Sequence, residues 1–468
     1  MPSDPLSITG LFDRIDRSRE ALVHGEERWT FARLERESAR LSGWLEARNV
    51  REGDFVSFAL KNGPWFIAVA FAIYRCGAIP APLSPKLTAT ERDEIVALLN
   101  PATHIEESDL ESARETDWKP VRTRPVSPSW KACTSGGSTG RPKVIVDARP
   151  ASFPEGTEFI GIPADATVLV PGPLYHNAPF SCAIFALWRG SKVVTMPRFD
   201  ASAALELIAT EQVEWALMVP TMISRILSLP EDEREKYDLS HWKMVVHTAA
   251  PIARWQKVKW IEWLGPDHIW EVYGATEGLV RCWIGGREWL DRPGSVGRPT
   301  GGARLKIVDE HGEEVPVGET GEVFAMPANG PQSTYRYVGA ERRADRDGWE
   351  SVGDAGWVDG DGYLYLADRK DDLIISGGVN IWPAEVEDAI LRHPEVRSCA
   401  VYGVPDDDLG ARVHAIIETD ARFSAQELSA FLESHLSRTK HPRSIETSGD
   451  RVRDDAGKFR KPRQDKSA

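Results

Sequence analysis

The segment "TSGGSTGRPKVIV", residues 134–146, combines residue types that suit phosphate binding. Glycines let the backbone turn its N–H groups toward a ligand, and hydroxyl groups with a lysine suit phosphate oxygens. The phosphate loop of nucleotide hydrolases does not match, because it needs Gly before the Lys and Ser or Thr after it, whereas Lys143 lies between Pro142 and Val144. Taken alone, the segment favours phosphate binding over a Ser/Gly-rich surface loop, and both interpretations stay open.

Three apolar segments farther along the chain, "EWALMVP", "KMVVHTAA" and "HIWEVYG", predict strands. The segments "SAALELIATEQ" and "RWQKVKWIEWLG" have helical spacing, and strands that alternate with helices in this way predict a parallel sheet in an α/β layer. Ligands bind such sheets where the strands end at their carboxyl side, which here means residues 247–251 and 273–278. Two separated segments therefore indicate one crevice.

From about residue 296 the pattern changes to short strands separated by glycine turns. The segment "ARLKIVDEHGEEVPVGETGEVFA" predicts hairpins of a small antiparallel sheet or barrel. Turn formation accounts for most glycines in the stretch that follows, but Asp354 and Arg369 are not needed for turning. After Asp371, roughly a hundred residues with mixed helix and strand patterns predict a smaller second domain.

These patterns predict an α/β fold with two domains. Residues 1–370 are expected to form a large N-terminal domain of parallel-sheet α/β layers with a small antiparallel β-barrel-like part, and residues 371–468 a small α+β C-terminal domain. A length of 468 residues exceeds what one hydrophobic core usually serves, and 41% apolar residues are ample to build two.

Charge and cysteine usage exclude several classes of partner. The chain has 57 basic and 71 acidic residues, and a formal charge of −14 argues against nucleic acid or an anionic membrane bound through bulk charge. Its five cysteines are scattered without CxxC spacing, so neither a disulfide framework nor a zinc site is indicated. With no apparent leader or membrane-spanning run, a cytoplasmic location is expected.

Taken in order, six motifs resemble the adenylate-forming superfamily, which includes acyl-CoA synthetases, luciferases and nonribosomal adenylation domains. They are "TSGGSTGRPK", "PLYH", "YGATE", "SVGD", "DRKDDLIISGGVNI" and "GKFRK", and they span nearly the whole chain. The sequences of these motifs are most similar to those of CoA ligases that act on bile acids, steroids and related bulky or fatty acids. The resemblance implies that a carboxylate reacts with MgATP to give an acyl-adenylate, that CoA then displaces AMP, and that the small domain rotates between these steps.

The resemblance also implies roles for individual residues around the nucleotide. Glu277 would bind Mg²⁺ with Thr276 nearby, Asp354 would accept hydrogen bonds from the ribose, and Arg369 would reach the ribose or the α-phosphate. Adenine would lie against Tyr273 and Gly274 and against the backbone at Ala249, Ala250 and Pro251. The β- and γ-phosphates would be bound by the loop residues Thr134, Ser135, Gly136, Gly137, Ser138, Thr139, Gly140 and Lys143.

Other roles concern the acyl group, CoA and the small domain. By the same resemblance, Lys458 would stabilise the adenylation transition state, Gly377 and Gly378 would let the pantetheine chain approach, and Asp371 would be the hinge. Position on strand ends and adjacent loops suggests an acyl pocket for a large hydrophobic acid. Its candidate wall residues are His176, Phe180, Met218, His247 and Val280, with His176 as a wall or gating residue only.

Departures from the family pattern, among them "RVR" at residues 451–453, where "LPR" is common, leave an alternative open. The loop reads "SGGSTG" where most members have "SGTTG", and Val144 replaces a common Gly after the Lys. One alternative is therefore a ligase that mainly converts a preformed acyl-adenylate to the thioester. A second alternative is an adenylating enzyme that loads a carrier protein, although no carrier domain is fused here. A third is a nucleotide-binding regulatory protein without turnover. Nucleotide binding alone does not require Lys458, so the presence of this lysine argues against the third alternative.

Overall fold

The computed structural model describes residues 5–121, 125–135, 142–369, 372–406, 409–419, 425–454, 457 and 459. Several predicted site residues lie outside this description: Gly136, Gly137, Ser138, Thr139, Gly140, Asp371 and Lys458, together with the side chains of Ser135 and Arg369.

The strands of the described residues are numbered here in chain order. They are β1 Leu6–Ser7, β2 Glu20–His24, β3 Glu27–Thr30, β4 Phe55–Ala59, β5 Ile79–Pro82, β6 Thr103–Glu106, β7 Ala132–Ser135, β8 Lys143–Asp147, β9 Ser152–Phe153, β10 Thr167–Val170, β11 Lys192–Thr195, β12 Trp215–Met218, β13 Met244–His247, β14 Ile269–Gly274, β15 Arg281–Gly285, β16 Ser295–Pro299, β17 Arg304–Val308, β18 Gly321–Met326, β19 Tyr335–Val338, β20 Arg343–Ala344, β21 Glu350–Ser351, β22 Asp354–Val358, β23 Leu364–Arg369, β24 Ile374–Ser376, β25 Val379–Ile381, β26 Val396–Asp406, β27 Gly410–Thr419 and β28 Ser444–Ser448.

The α-helices of the same residues are numbered in the same way. They are α1 Phe31–Ala47, α2 Pro64–Arg75, α3 Ala89–Leu99, α4 Glu107–Arg114, α5 Asn177–Trp188, α6 Ala201–Thr210, α7 Pro220–Leu227, α8 Glu231–Glu235, α9 Arg254–Leu264, α10 Gly286–Asp291, α11 Pro383–Ile390 and α12 Ala425–Leu432. Proline occupies the first turn of α2, α7 and α11, where its missing N–H costs no helical hydrogen bond.

The largest sheet contains the three predicted strands as parallel neighbours. Its parallel part has the order β2, β11, β10, β12, β13, β14, so the strands that end at Met218, His247 and Gly274 lie side by side. Alternate residues of β12 belong to different cores: Leu217 packs with the helices α1, α2 and α5, whereas Met218 packs with α6, α7 and α9. The sheet thus lies between two helical layers, which confirms the α/β prediction.

The antiparallel part continues this same sheet. Strand β14 pairs with β15 in antiparallel fashion across the loop of residues 275–280, and β16, β23, β22 and β18 follow. The predicted antiparallel hairpins are therefore present, but hydrogen bonding joins them to the parallel strands. A separate three-stranded sheet, β19–β8–β7, contains the strands on both sides of the predicted phosphate loop.

The C-terminal residues form a smaller sheet with its own core. Strands β25, β24, β27 and β26 are neighbours in this order, and β28 pairs with β27. Buried Ile374, Val386 and Ile390 pack with Ile417 and Leu428 beneath α11 and α12. A core of this kind confirms the predicted small α+β domain after the large one.

A buried ion pair lies beneath the end of β13. Lys257 Nζ donates to Glu271 Oε2, and both side chains are almost fully buried. His247 Nε2 lies 3.7 Å from the same carboxylate oxygen. Burial, and then the charge of Lys257, hold the pKa of His247 well below its usual range, so this imidazole is neutral at pH 7.

Replacing Glu271 with glutamine should lower the free energy of unfolding by about 3–5 kcal/mol, because Lys257 would be left as an uncompensated buried cation. Urea unfolding measures this change. The matched control is Glu214→Gln, which breaks the surface pair with Lys243 and should cost less than about 1 kcal/mol. Equal effects of the two substitutions would contradict the burial of the Lys257–Glu271 pair.

Candidate active site

Lys143, Glu277 and Tyr337 form a polar cluster where three distant segments meet. Lys143 Nζ donates to Glu277 Oε1 at 3.3 Å and to the Tyr337 hydroxyl at 3.0 Å. Tyr337 OH donates to Glu277 Oε1 at 2.6 Å. Lys143 begins β8, directly after the predicted phosphate loop, and Tyr337 lies on β19, which pairs with β8. The structure thus brings two predicted residues together and adds Tyr337, which the sequence did not predict.

The buried carboxylate of Glu277 is the group of this cluster that is available to bind a cation. The Glu277 side chain is only 6% exposed. Burial and the charge of Glu277 raise the pKa of Tyr337, so its hydroxyl stays a donor to the carboxylate. Glu277 Oε2 accepts no hydrogen bond from the described residues, which leaves a carboxylate oxygen available. Mg²⁺ usually takes one or two carboxylates together with phosphate oxygens, so Glu277 fits as the protein ligand of MgATP.

Val144, which raised doubt about the loop, points away from this cluster. It is fully buried with Val146 and Ala132 in a separate apolar core. Because side chains alternate along a strand, Val144 lies on the face of β8 opposite Lys143. Its branched side chain therefore fills a core and leaves the Lys143 face clear.

A second polar contact joins two of the residues predicted to bind the nucleotide. Tyr273 OH, near the end of β14, donates to Asp354 Oδ2 at 2.6 Å. Asp354 begins β22, and its register partner on β23 is Arg369. Gly274 follows Tyr273 at the end of β14. The residues predicted to contact the adenine (Tyr273) and the ribose (Asp354) are thus neighbours although they are 81 positions apart.

The loop after β13 carries Ala249, Ala250 and Pro251. Thr248 Oγ1 donates to the Val272 carbonyl at 2.8 Å and ties this loop to β14. Ala249 has a φ of 80°, a left-handed conformation that is costly for a residue with a Cβ and persists only where the surroundings impose it. The loop is therefore held in one shape beside Tyr273, as expected for a surface against a base.

The C-terminal segment reaches this loop. A Cβ atom built on Gly457 would lie 3.9 Å from Ala250 Cβ and 3.7 Å from Thr221 Oγ1. Arg453 Nη1 donates to the Gly457 carbonyl at 3.1 Å, and Arg453 Nη2 donates to both carboxylate oxygens of Glu387 at 2.7 Å. Arg453 and Glu387, which the sequence did not predict, thus position the residue that precedes Lys458.

The residues predicted to form the acyl pocket are not brought together. Phe180, Met218 and His247 are fully buried. Phe180 packs near Phe66 in the core beneath α5, whereas Met218 and His247 are register partners that face the other core. In this structure these three side chains therefore fill the protein core and do not line an open pocket.

The other predicted positions are accessible or lie near the crevice. His176 precedes α5 and is partly exposed, and Val280 is 8% exposed in the core of the antiparallel strands. Gly377 and Gly378 form the exposed turn between β24 and β25 with φ values of 57° and 80°, which glycine adopts without strain. Thr276 lies in the loop after β14, next to Glu277, and Thr134 lies on β7.

Two family models match this chain. The model described as AMP-binding enzyme matches residues 14–132 and 104–337, and the one described as AMP-binding enzyme C-terminal domain matches residues 385–458. The chain belongs to the AMP-binding enzymes. A feruloyl-CoA synthase from Amycolatopsis sp is 30% identical, with 92% of each chain covered. A 2-succinylbenzoate–CoA ligase of Bacillus licheniformis is 29% identical, with 91% of this chain and 92% of the relative covered.

Solved structures share the fold of this AMP-binding enzyme. The o-succinylbenzoate-CoA synthetase of Bacillus subtilis, in complex with its acyl-adenylate intermediate, has a TM-score of 0.81 and 24% identity, with 98% of this chain and 97% of that chain covered. The same synthetase in complex with ATP and a magnesium ion has a TM-score of 0.80. The predicted superfamily and fold class are thereby confirmed. No helix among the described residues of the enzyme is long and apolar enough to cross a membrane.

Proposed function

We propose that this AMP-binding enzyme is an acid–thiol ligase, which activates a carboxylic acid with ATP and transfers the acyl group to CoA with release of AMP. The observation that carries the proposal is the cluster of Lys143, Glu277 and Tyr337, which places a cation and a buried carboxylate beside the predicted phosphate loop. The two similar ligases named above, both of which join an acid to CoA, support the same activity.

In the first step, a carboxylate oxygen of the acid bonds to the α-phosphorus of ATP, and the bond from that phosphorus to the pyrophosphate oxygen breaks. Two anions must approach, so the site must supply positive charge before reaction. Lys143 provides one charge, and Glu277 would hold Mg²⁺, which neutralises phosphate charge when bound. Tyr273 donates to Asp354 and orients that carboxylate toward the ribose hydroxyls.

In the second step, the sulfur of CoA bonds to the acyl carbon, the bond from that carbon to the AMP oxygen breaks, and the thiol proton is released. We assign the exposed turn at Gly377 and Gly378 to the CoA side and the hinge to Asp371, between domains of residues 1–370 and 371–468. The contact of Gly457 with the Ala250 loop supports an arrangement that serves the first step, with Lys458 at the reacting groups.

The acid is proposed to have a large apolar body. Phe159, Val272 and Trp283 are partly buried and pack on the core beneath α5, and Val272 directly precedes Tyr273 on β14. Trp270 stacks on Trp283 with ring centroids 5.0 Å apart and extends this apolar surface. These side chains, in place of Phe180 and Met218, supply the apolar surroundings that such an acid requires.

A panel of fatty, aromatic, steroid-like and terpenoid acids tests this function. Each acid is supplied with ATP, Mg²⁺ and CoA, and separately as its adenylate with CoA. We expect at least one acid to give equal amounts of AMP and acyl-CoA. Thioester formed only from supplied adenylates would support the non-adenylating alternative, and no thioester under either condition would refute the ligase.

A further inference from the structure

Arg281 is a partly buried cation without a counter-charge among the described residues. It begins β15, and its register partner is Gly274 at the end of β14. Its guanidinium carbon lies 5.9 Å from the centre of the Phe159 ring. Within the described ranges, its side chain makes no ion pair and no hydrogen bond. An arginine in such a position is expected to meet an anion, because a buried charge is costly unless it is paired.

The neighbouring charges add to this excess. Asp147 is shared by two cations: Arg149 Nη2 lies 2.7 Å and Lys131 Nζ 3.9 Å from Asp147 Oδ2. Lys131 Nζ also donates to Ser181 Oγ, in the first turns of α5. Burial, and then the charge of Arg149, lower the pKa of Arg281 from its ordinary value. Among the residues that the structure describes, the cation cluster of Lys131, Arg149 and Arg281 therefore has one carboxylate, Asp147, for three cations.

The position of Arg281 on the sheet separates it from the nucleotide. Directly opposed residues of antiparallel strands share a face, so Arg281 lies with Gly274 on the face that carries Val272 and Trp283. Tyr273 lies on the other face, where its hydroxyl meets Asp354.

Phe159, next to the Arg281 guanidinium, contacts α5 through Phe185 with ring centroids 5.3 Å apart. The guanidinium thus faces the space between the sheet and α5. This is also where the apolar body of the acid is proposed to lie.

We propose that Arg281, assisted by Arg149, binds a carboxylate or similar anionic oxygen group at the far end of the acid substrate from the carboxylate that is activated. A planar guanidinium binds such a group through two parallel hydrogen bonds, and the carboxylate would balance the charge of the cluster. The inference rests on the proposed ligase function and narrows its substrate to dicarboxylic acids with an apolar body.

The test compares matched acids that differ by one carboxylate. 3-Phenylpropanoate and its ortho-, meta- and para-carboxylated forms are each supplied with ATP and CoA, and kcat/KM is measured for acyl-CoA formation. We expect the wild type to favour one carboxylated form over the parent acid by about 30-fold or more, since a desolvated charge pair is at stake. Arg281→Met should abolish this preference, and Arg281→Lys should retain part of it.

The controls separate the anion site from the nucleotide site and from folding. Arg287→Met removes an exposed arginine paired with Asp267 and should leave the preference unchanged. The KM for ATP should be the same in wild type and Arg281→Met. A preference that survives in Arg281→Met, or that is absent from the wild type, would overturn the anion site. So would a loss that appears only in the KM for ATP.

Thioester formation from 3-phenylpropanoate, the parent acid, distinguishes failure of the anion site from failure of the ligase function. A wild type that makes acyl-CoA from 3-phenylpropanoate and its carboxylated forms with equal kcat/KM would overturn the anion site and leave the ligase function intact. A wild type that makes no thioester from these acids or from the broader panel would overturn both.

Discussion

Replacing Lys458 with alanine should lower the rate of acyl-adenylate formation by about 100- to 1,000-fold, because one preorganised charge on the developing transition state would be lost. The conversion of supplied acyl-adenylate and CoA to thioester should stay close to the wild-type rate. Single-turnover measurements of pyrophosphate release and of thioester formation give the two rates separately.

The residues next to Lys458 explain why adenylate formation, and not thioester formation, should depend on this lysine. Gly457 lies against the Ala250 loop, and its carbonyl is held by Arg453, which is itself fixed by Glu387. The matched control is Lys440→Ala, since Lys440 is a lysine of the same small domain that pairs with Glu385. Equal losses in both half-reactions, or no loss in either, would show that Lys458 does not have this role.

Replacing Glu277 with glutamine should lower kcat/KM for adenylate formation by about 100-fold and raise the Mg²⁺ concentration needed for half-maximal rate. Glutamine keeps the size of the side chain and an oxygen that accepts from Tyr337, so the loss isolates the charge. Initial rates over a series of Mg²⁺ concentrations measure both effects.

Tyr337→Phe provides the graded comparison. It removes the hydrogen bond to Glu277 and the one accepted from Lys143 but leaves the carboxylate, so its effect should be about tenfold at most. An equal or larger effect of Tyr337→Phe would mean that the hydroxyl, and not the carboxylate, is the principal group of the cluster.

Much of the crevice could be predicted from the sequence because its residues follow strongly patterned strands. The apolar runs of β12, β13 and β14 indicated parallel neighbours, and the carboxyl ends of such neighbours meet at one edge of a sheet. The loop at Ala249 and the end of β14 were therefore expected at one edge of the sheet, where Thr248 is hydrogen-bonded to Val272.

Tyr337, Arg453 and Arg281 could not be predicted in the same way. Tyr337 owes its position to the pairing of β19 with the distant β8, and Arg453 is held by Glu387, 66 residues earlier in the chain. Arg281 lies in a local hairpin, but the charge next to it comes from the distant Arg149. The local sequence around each resembles an ordinary strand or surface segment. For Glu387, nothing in the local sequence indicates that the carboxylate turns toward Arg453.

For the predicted acyl pocket, the sequence indicated where each strand ends but not which face of the strand each side chain occupies. Met218 and His247 end their strands at the crevice, as predicted, but their side chains point to the core shared with α7 and α9. Alternation offered a usable signal, because Val246 and Leu217, one residue earlier, face α5.

The exchange of labelled pyrophosphate into ATP, with an acid present and CoA absent, measures the activation of the acid by ATP separately from thioester formation. This exchange occurs only if the enzyme forms the acyl-adenylate reversibly. We expect exchange that depends on an acid the enzyme converts to its CoA thioester, and that is lost in Lys458→Ala and Glu277→Gln. No exchange with any such acid, while its supplied adenylate still yields the thioester, would contradict the claim that this chain activates acids with ATP.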